Sequence, residues 1–186
     1  KGLARSAIGR VFLETPPELL VSQMPFLAWA QLHSVDPDQE VPSRTALRQM
    51  RELVWEHQLR RADLSWADRD LVGGIVFTRA AAPLPSWSSL RPLSAIATML
   101  GDERLTEGTI ASGEVPGQIT RLVESIRFVR QLTAEGELLH LYGEAEDAQG
   151  GVRMALWDQR MPIESSAMAL LLLAESQRSF EQLMSR

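Results

Sequence analysis

Two short runs set carboxylates beside arginine and tryptophan: Asp68-Arg69-Asp70 and Trp157-Asp158-Gln159-Arg160. That combination suits a sugar-binding or glycan-cleaving cleft. An indole ring stacks on the apolar face of a sugar, while an acid and a guanidinium take its hydroxyls or act in proton transfer. On this reading Asp70, Asp158 and Glu164 are the candidate acids, and Trp87, Trp157 and Arg160 are the candidate binding groups. The same residues have a plainer reading. Acids and arginines near helix starts bind backbone or each other, and the tryptophans at 29, 55, 66, 87 and 157 serve core or interface. Convergence of the six side chains in one concave pocket would favour the first reading. Separate ion pairs would favour the second.

Other chemistries leave no trace. His33, His57 and His140 stand far apart and form no HxxxH or HExxH, so a histidine metal site is not expected. No GxSxG elbow, P-loop or GxGxxG follows an expected strand. The chain has no cysteine, which excludes disulfides, thiolate nucleophiles and Cys–zinc sites. No metal and no cofactor is expected. Arg104, Arg121, Arg127 and Arg130 could form an anion patch beside the Gly113–Gly117 loop and a helix N-terminus. The alternative is a solvated helix face on which Glu124 pairs with Arg121 or Arg127.

The elements that must carry these residues repeat. Gly73 to Ala97 reads GGIVFTRAAAPLPSWSSLRPLSAIA, and Gly150 to Ala174 reads GGVRMALWDQRMPIESSAMALLLLA. At a constant spacing of 77, without a gap, Gly73, Gly74, Pro85, Ser88, Ser89, Leu93 and Ala97 meet identical residues. A Gly pair permits a tight chain reversal, a loop follows, proline opens a helix, and two serines serve the backbone of its first turn. The expected unit is turn, loop, buried helix.

Elsewhere, Pro16/17, Pro42 and Pro116 also precede apolar-periodic segments. Five Pro-opened helices and no alternating Val/Ile/Thr run predict an all-α fold of five to seven helices. Residues 1–15 read as an N-terminal arm or short helix, and 16–186 as a single helical domain. A helix over about 16–32 should kink at Pro25. Another spans roughly 43–62, with Arg44, Arg48, Arg51, Arg60 and Arg61 on its wet face. Leu64 to Leu71 reads as a linker. The stretch Asp102 to Gly117 reads as irregular, with Gly101 ending the helix before it. A helix over 118–134 should bury Ile119, Leu122, Val123, Ile126, Val129 and Leu132, and end at Gly136. Residues 137–142 fit a short helix or a strand. The last helix should run from about 163 to 183.

The repeated turn–loop–Pro–helix unit, Gly73-Gly74 through Pro85 and Gly150-Gly151 through Pro162, resembles the α/α-toroid (helical-barrel) class. That class includes terpene cyclases, protein prenyltransferases, complement-type thioester domains and many carbohydrate-active enzymes. The resemblance spans at most two-thirds of the chain and implies helices lining a ring, here half of one or a terminal fragment of a larger protein. The chain lacks an Asp-rich cyclase motif, a QW repeat and a thioester Cys-Gly-Glu-Gln, so the likeness implies no activity.

The 186 residues suffice for a real core. Net charge is −5 with no basic block, which disfavours nucleic acid. The longest apolar run, Ala167 to Ala174, is too short to span a membrane. The start at Lys1 reads as a piece of a longer polypeptide, and the compartment stays open. The expected role is a structural or interaction domain whose partners are other domains of the same polypeptide or a protein. The rival is a carbohydrate-active enzyme of α/α-toroid type.

Overall fold

A computed structural model describes residues 2–36, 38–77, 84–106 and 113–185. The fold is all-α, with no β-strand among the described residues. The helices are α1 (Gly2–Glu14), α2 (Pro17–Leu20), α3 (Met24–Ser34), α4 (Arg44–Glu56), α5 (Leu90–Gly101), α6 (Glu103–Thr106), α7 (Glu114–Leu132), α8 (Ala145–Ala148) and α9 (Ile163–Met184). Short 3-10 turns fill the connections, at Val21–Gln23, Arg61–Asp63, Trp66–Leu71, Trp87–Ser89 and Gly136–Leu141.

The N-terminal residues form helix α1 rather than an extended arm. The next helix is divided at Val21–Gln23, and Pro25 lies in the first turn of α3. Proline there forfeits no intrahelical hydrogen bond, so it starts the new helix instead of kinking an old one. The expected linker at 64–71 and the ambiguous 137–142 segment are both mainly 3-10 turns. Pro116 falls inside the first turn of α7, and α7 ends at Leu132, before Gly136. Residues 107–112, within the stretch read as irregular, lie outside the described residues, as do 78–83 of the first repeat loop.

α5 is the centre of the molecule. It packs against α9 and α3, and α7 also touches it. Ten of its residues are buried, including Leu90, Leu93, Ile96, Ala97 and Met99. The α5–α9 contact is close because small residues make it. A Cβ on Gly101 would lie 2.9 Å from the Ser179 Cα, and the Ser179 hydroxyl donates to the Ala97 carbonyl at 2.5 Å. Gly101 is thus the last residue of α5, where it admits α9, rather than the residue that ends the helix.

Two further expectations need correction. Arg51 is buried, not on a wet face: its guanidinium reaches Glu114 at 2.5 Å and Glu52 at 3.1 Å. The pairing ties α4 to the start of α7. The inward face of α7 is also rotated, burying Val115, Gln118, Leu122, Ser125, Phe128, Val129 and Leu132, while Ile119, Val123 and Ile126 are only half-buried. The cause is a backbone segment docked on the helix. The Ser125 hydroxyl donates to the Gly73 carbonyl at 2.7 Å, and the Gln58 side-chain amide donates to the Ser125 hydroxyl at 2.9 Å and the Arg121 carbonyl at 2.8 Å. A buried backbone turn needs hydrogen-bonding partners, so polar residues occupy that face.

The two glycine turns make the same bonds. Gly73 and Gly150 take φ of 90° and 80°. Leu59 N–H donates to Gly74 O and Gly73 N–H to Leu59 O, both at 2.9 Å; Ala134 N–H donates to Gly151 O at 2.8 Å and Gly150 N–H to Ala134 O at 2.9 Å. Val76 N–H reaches His57 O at 3.0 Å, as Arg153 N–H reaches Leu132 O at 2.9 Å. The residue after each turn sits outside any sheet, and serine hydroxyls serve it. Ser89 accepts from Ile75 N–H at 3.1 Å and is 3.2 Å from Ile75 O. Ser166 accepts from Val152 N–H at 3.0 Å, and Ser165 donates to Val152 O at 2.5 Å. Thus Ser89 in the first unit, and Ser165 with Ser166 in the second, hold the loop onto the following helix.

Candidate functional site

Trp87, Trp157, Asp158 and Arg160 are linked through one small hairpin. Trp87 N–H donates to Met154 O at 2.9 Å, and Met154 N–H donates to Arg160 O at 2.7 Å. Buried Arg153 braces the hairpin from below. It donates to the α7 C-terminal carbonyls of Leu132 (3.2 Å) and Gln131 (2.5 Å), and to Leu156 O and the Gln159 side chain at 3.3 and 3.1 Å. A guanidinium suits helix-end carbonyls, which carry the negative end of the dipole. Trp157 projects from this hairpin and is 52% exposed.

The acids do not assemble. Asp158 is held by Arg160, with Arg160 Nη2 at 2.5 Å and Nε at 3.0 Å. The Arg160 side-chain hydrogen bonds, and the Arg160 backbone N–H after them, lower its pKa from 3.8 to about 2. Asp70 is exposed on the Trp66–Leu71 turn, and Glu164 is exposed in the first turn of α9. Among the described residues no hydrogen bond or ion pair joins either of them to Asp158. Trp87 lies under a different arginine, Arg91, whose guanidinium carbon is 5.0 Å from the ring centroid.

A titration checks the Asp158 geometry. Its carboxyl resonance should show a midpoint near pH 2, and Arg160→Gln should return it toward the ordinary aspartate range. The folded-state pKa is depressed, so the pair's contribution to stability is present above about pH 4 and is lost as pH falls toward 2. Because both side chains reach solvent, that contribution is small.

The four arginines proposed as an anion patch do not form one patch: Arg127 and Arg130 line one groove, while Arg104 and Arg121 are held elsewhere. Arg104 donates to Asp102 at 2.6 Å and to the carbonyls of Asp36 and Leu32 at 3.2 and 3.5 Å. The Asp102 hydrogen bond raises the Arg104 pKa. Arg121 lies over the Trp55 ring at 5.9 Å, and Arg130 pairs with Glu135 at 3.1 Å. Residues Gly113–Gly117 are mostly the first turn of α7.

A different concavity is better formed. A groove of about 870 Å³ runs between the ends of α3, α5 and α9, lined among others by His33, Thr98, Asp102, Arg104, Glu175 and Arg178. At its wall the Trp29 indole N–H donates to the Thr98 hydroxyl at 2.7 Å. The Thr98 oxygen lies 3.0 Å from the Glu175 carboxylate and 3.0 Å from Ser94 O. One hydroxyl proton serves one acceptor at a time. Donation to Glu175 gives a directed Trp29–Thr98–Glu175 chain, closed by Arg178 at 3.2 Å. Glu175 and Asp102 are each paired with an arginine, and Asp36 and Glu103 also line the groove. Sequence reading missed Thr98 and Glu175. The available signal was their spacing of 77, which makes them the same position of the two repeated segments, and an acid directly after an apolar run.

Among the described residues no group of three or more His, Cys, Asp or Glu could hold a metal ion, and no helix is long and apolar enough to cross a membrane. Compared with this chain, no protein family, curated protein or solved structure matches.

Proposed function

We propose that the chain is a helical interaction domain, built of two turn–loop–helix units and serving as part of a larger assembly. The observation that carries this reading is the orientation of α9. Its inward face is mostly small or polar, with one leucine: Ser165, Ala169, Leu172, Glu175, Ser176 and Ser179 are buried. Leu172 is buried among them and Met168 and Leu183 pack against the core, but Ile163, Leu170 and Leu173 point the other way, 82%, 69% and 48% exposed. An apolar stripe along a long helix, facing away from its own core, marks a contact surface. The successive packing of α3, α5 and α9 fits the partial α/α toroid that the repeat resembles. The rival, carbohydrate-active reading has less support, because Asp158 is tied to Arg160 and no second acid among the described residues joins it.

The test is Leu170→Glu/Leu173→Glu in the whole chain. The double variant should bind an environment-sensitive apolar dye several-fold less than the parent, and remain more soluble, with the melting temperature changed by less than about 2 °C, because surface substitutions cost little. A melting temperature lowered by 10 °C or more would mean that this face belongs to the core, and would sink the reading.

A further inference from the structure

α4 leads into the first glycine turn and α7 into the second, and the seam between these two helices is polar along its length. Arg51, Trp55 and Gln58 follow one another at helical spacing on and just beyond α4, as do Glu114, Gln118, Arg121 and Ser125 on α7. The two rows meet. Arg51 and Gln118 donate to the same Glu114 oxygen, at 2.5 and 2.7 Å. One turn on, the Arg121 guanidinium lies over the Trp55 ring at 5.9 Å. Beyond it, the Gln58 amide donates to Arg121 O and to the Ser125 hydroxyl.

Four side-chain atoms in this seam are buried and have no hydrogen-bond partner among the described residues: Arg51 Nη1, Trp55 Nε1, Gln58 Oε1 and Gln118 Oε1. Their residues range from 1% exposed for Trp55 to 5% for Gln118, so bulk water does not reach them. The amide orientations are forced. Each amide nitrogen faces a group that can only accept, the Arg121 carbonyl for Gln58 and the Glu114 carboxylate for Gln118. Turning either amide over would set oxygen against oxygen. A polar atom shut away from water without a partner is costly, and native interiors seldom leave one so. Four along one seam call for a shared partner.

The four atoms define its chemistry. Arg51 Nη1 and Trp55 Nε1 only donate, and the two amide oxygens only accept. An anion would suit the donors but meet the amide oxygens. A cation would suit the oxygens but meet the guanidinium. A molecule that accepts and donates at once suits all four, and in a closed seam it must be small.

We propose that the α4–α7 seam binds internal water, one or more molecules that accept from Arg51 and Trp55 and donate to Gln58 and Gln118. The contact between the two units is then a hydrated one, and its water belongs to the joint as the Arg51–Glu114 pair does. This inference is independent of the interaction reading of α9.

Two measurements on the whole chain test it. A crystal structure at a resolution that shows ordered water should place one about 2.7–3.2 Å from Trp55 Nε1, bonded also to at least one of the two amide oxygens. In solution, the Trp55 indole N–H is the signal lost in Trp55→Phe. It should give water cross-peaks of opposite sign in laboratory-frame and rotating-frame experiments, the mark of a held water rather than of exchange by the indole proton. Gln118→Leu should weaken that cross-peak at least about twofold, because the water loses one of about three hydrogen bonds. The parent measurements stand alone if this variant does not fold.

A crystal structure in which either amide oxygen accepts directly from Trp55 or Arg51, with no water between, overturns the proposal. So does one in which an ion occupies the seam. A Trp55 indole without a water cross-peak overturns it as well, and so does a cross-peak undiminished in Gln118→Leu, since the water it reports would lie elsewhere.

Discussion

Gly73→Ala is expected to destabilise the protein by about 3 kcal/mol or more, whereas Gly150→Ala at the equivalent turn costs about 1 kcal/mol. Both residues have positive φ, so alanine at either pays the left-handed penalty of roughly 1 kcal/mol. Their surroundings differ. A Cβ at Gly73 would lie 2.2 Å from the Glu124 carbonyl oxygen and 2.8 Å from the Ser125 backbone nitrogen. Those are helix backbone atoms that cannot turn aside. The turn would have to lift off α7, breaking the Ser125–Gly73 hydrogen bond and weakening the Gln58 network beneath it. Overpacking adds about 1–3 kcal/mol, and the orphaned Ser125 adds to it. At Gly150 nothing lies within 4 Å of the added atom. For a chain of this size each kcal/mol moves the melting temperature by about 2–4 °C. Thermal unfolding should therefore show a fall of about 6–12 °C for Gly73→Ala and of about 2–4 °C for Gly150→Ala. Equal shifts would mean that the Gly73 turn does not rest on the α7 backbone.

The second large effect is expected at Arg51. Its side chain is only 3% exposed, and it bridges Glu52 on its own helix to Glu114 at the start of α7. Glu114 in turn accepts from the buried Gln118 amide at 2.7 Å. Arg51→Ala removes the cation, opens a cavity between the two helices and leaves a carboxylate without its partner. Breaking a buried pair from one side costs about 3–5 kcal/mol. Glu114 is 39% exposed and can turn to water, so about 3 kcal/mol is expected. Arg51→Met should cost about half as much, because it fills the space and leaves only the loss of charge. Chemical denaturation of the two variants gives the comparison. A methionine variant as unstable as the alanine variant would show that the charge, and not the packing, holds α4 to α7.

The candidate acids illustrate how sequence and structure divide the problem. Asp158 and Arg160 are two residues apart, and their pairing belongs to the plainer of the two readings of that run. Whether Asp70, Asp158 and Glu164 share a cleft depended on how the 3-10 turn, the hairpin and α9 are oriented, which no local pattern encodes. The Trp29–Thr98–Glu175 chain is the converse case. Its members lie 69 and 77 positions apart, so only the packing of α3, α5 and α9 brings them together. Arg51 was misplaced for the same kind of reason. A charged residue among other arginines on a helix looks solvated until a partner such as Glu114 arrives from 63 residues away.

The sequence by itself determined the helical class, the proline-marked helix starts near Pro17, Pro85 and Pro162, and the matched glycine turns at 73 and 150. These depend on backbone restrictions of proline and glycine and on apolar spacing, which act within a few residues. Tertiary structure decided which face of each helix is inside. The inward face of α7 took Gln118 and Ser125 because a backbone turn docks there and must be hydrogen-bonded. The inward face of α9 took Ala169, Ser176 and Ser179 beside Leu172 because α5 approaches closely, while Leu170 and Leu173 stand outside. Burial follows what a face meets, and a hydrophobic pattern read along one helix cannot say which neighbour it will meet.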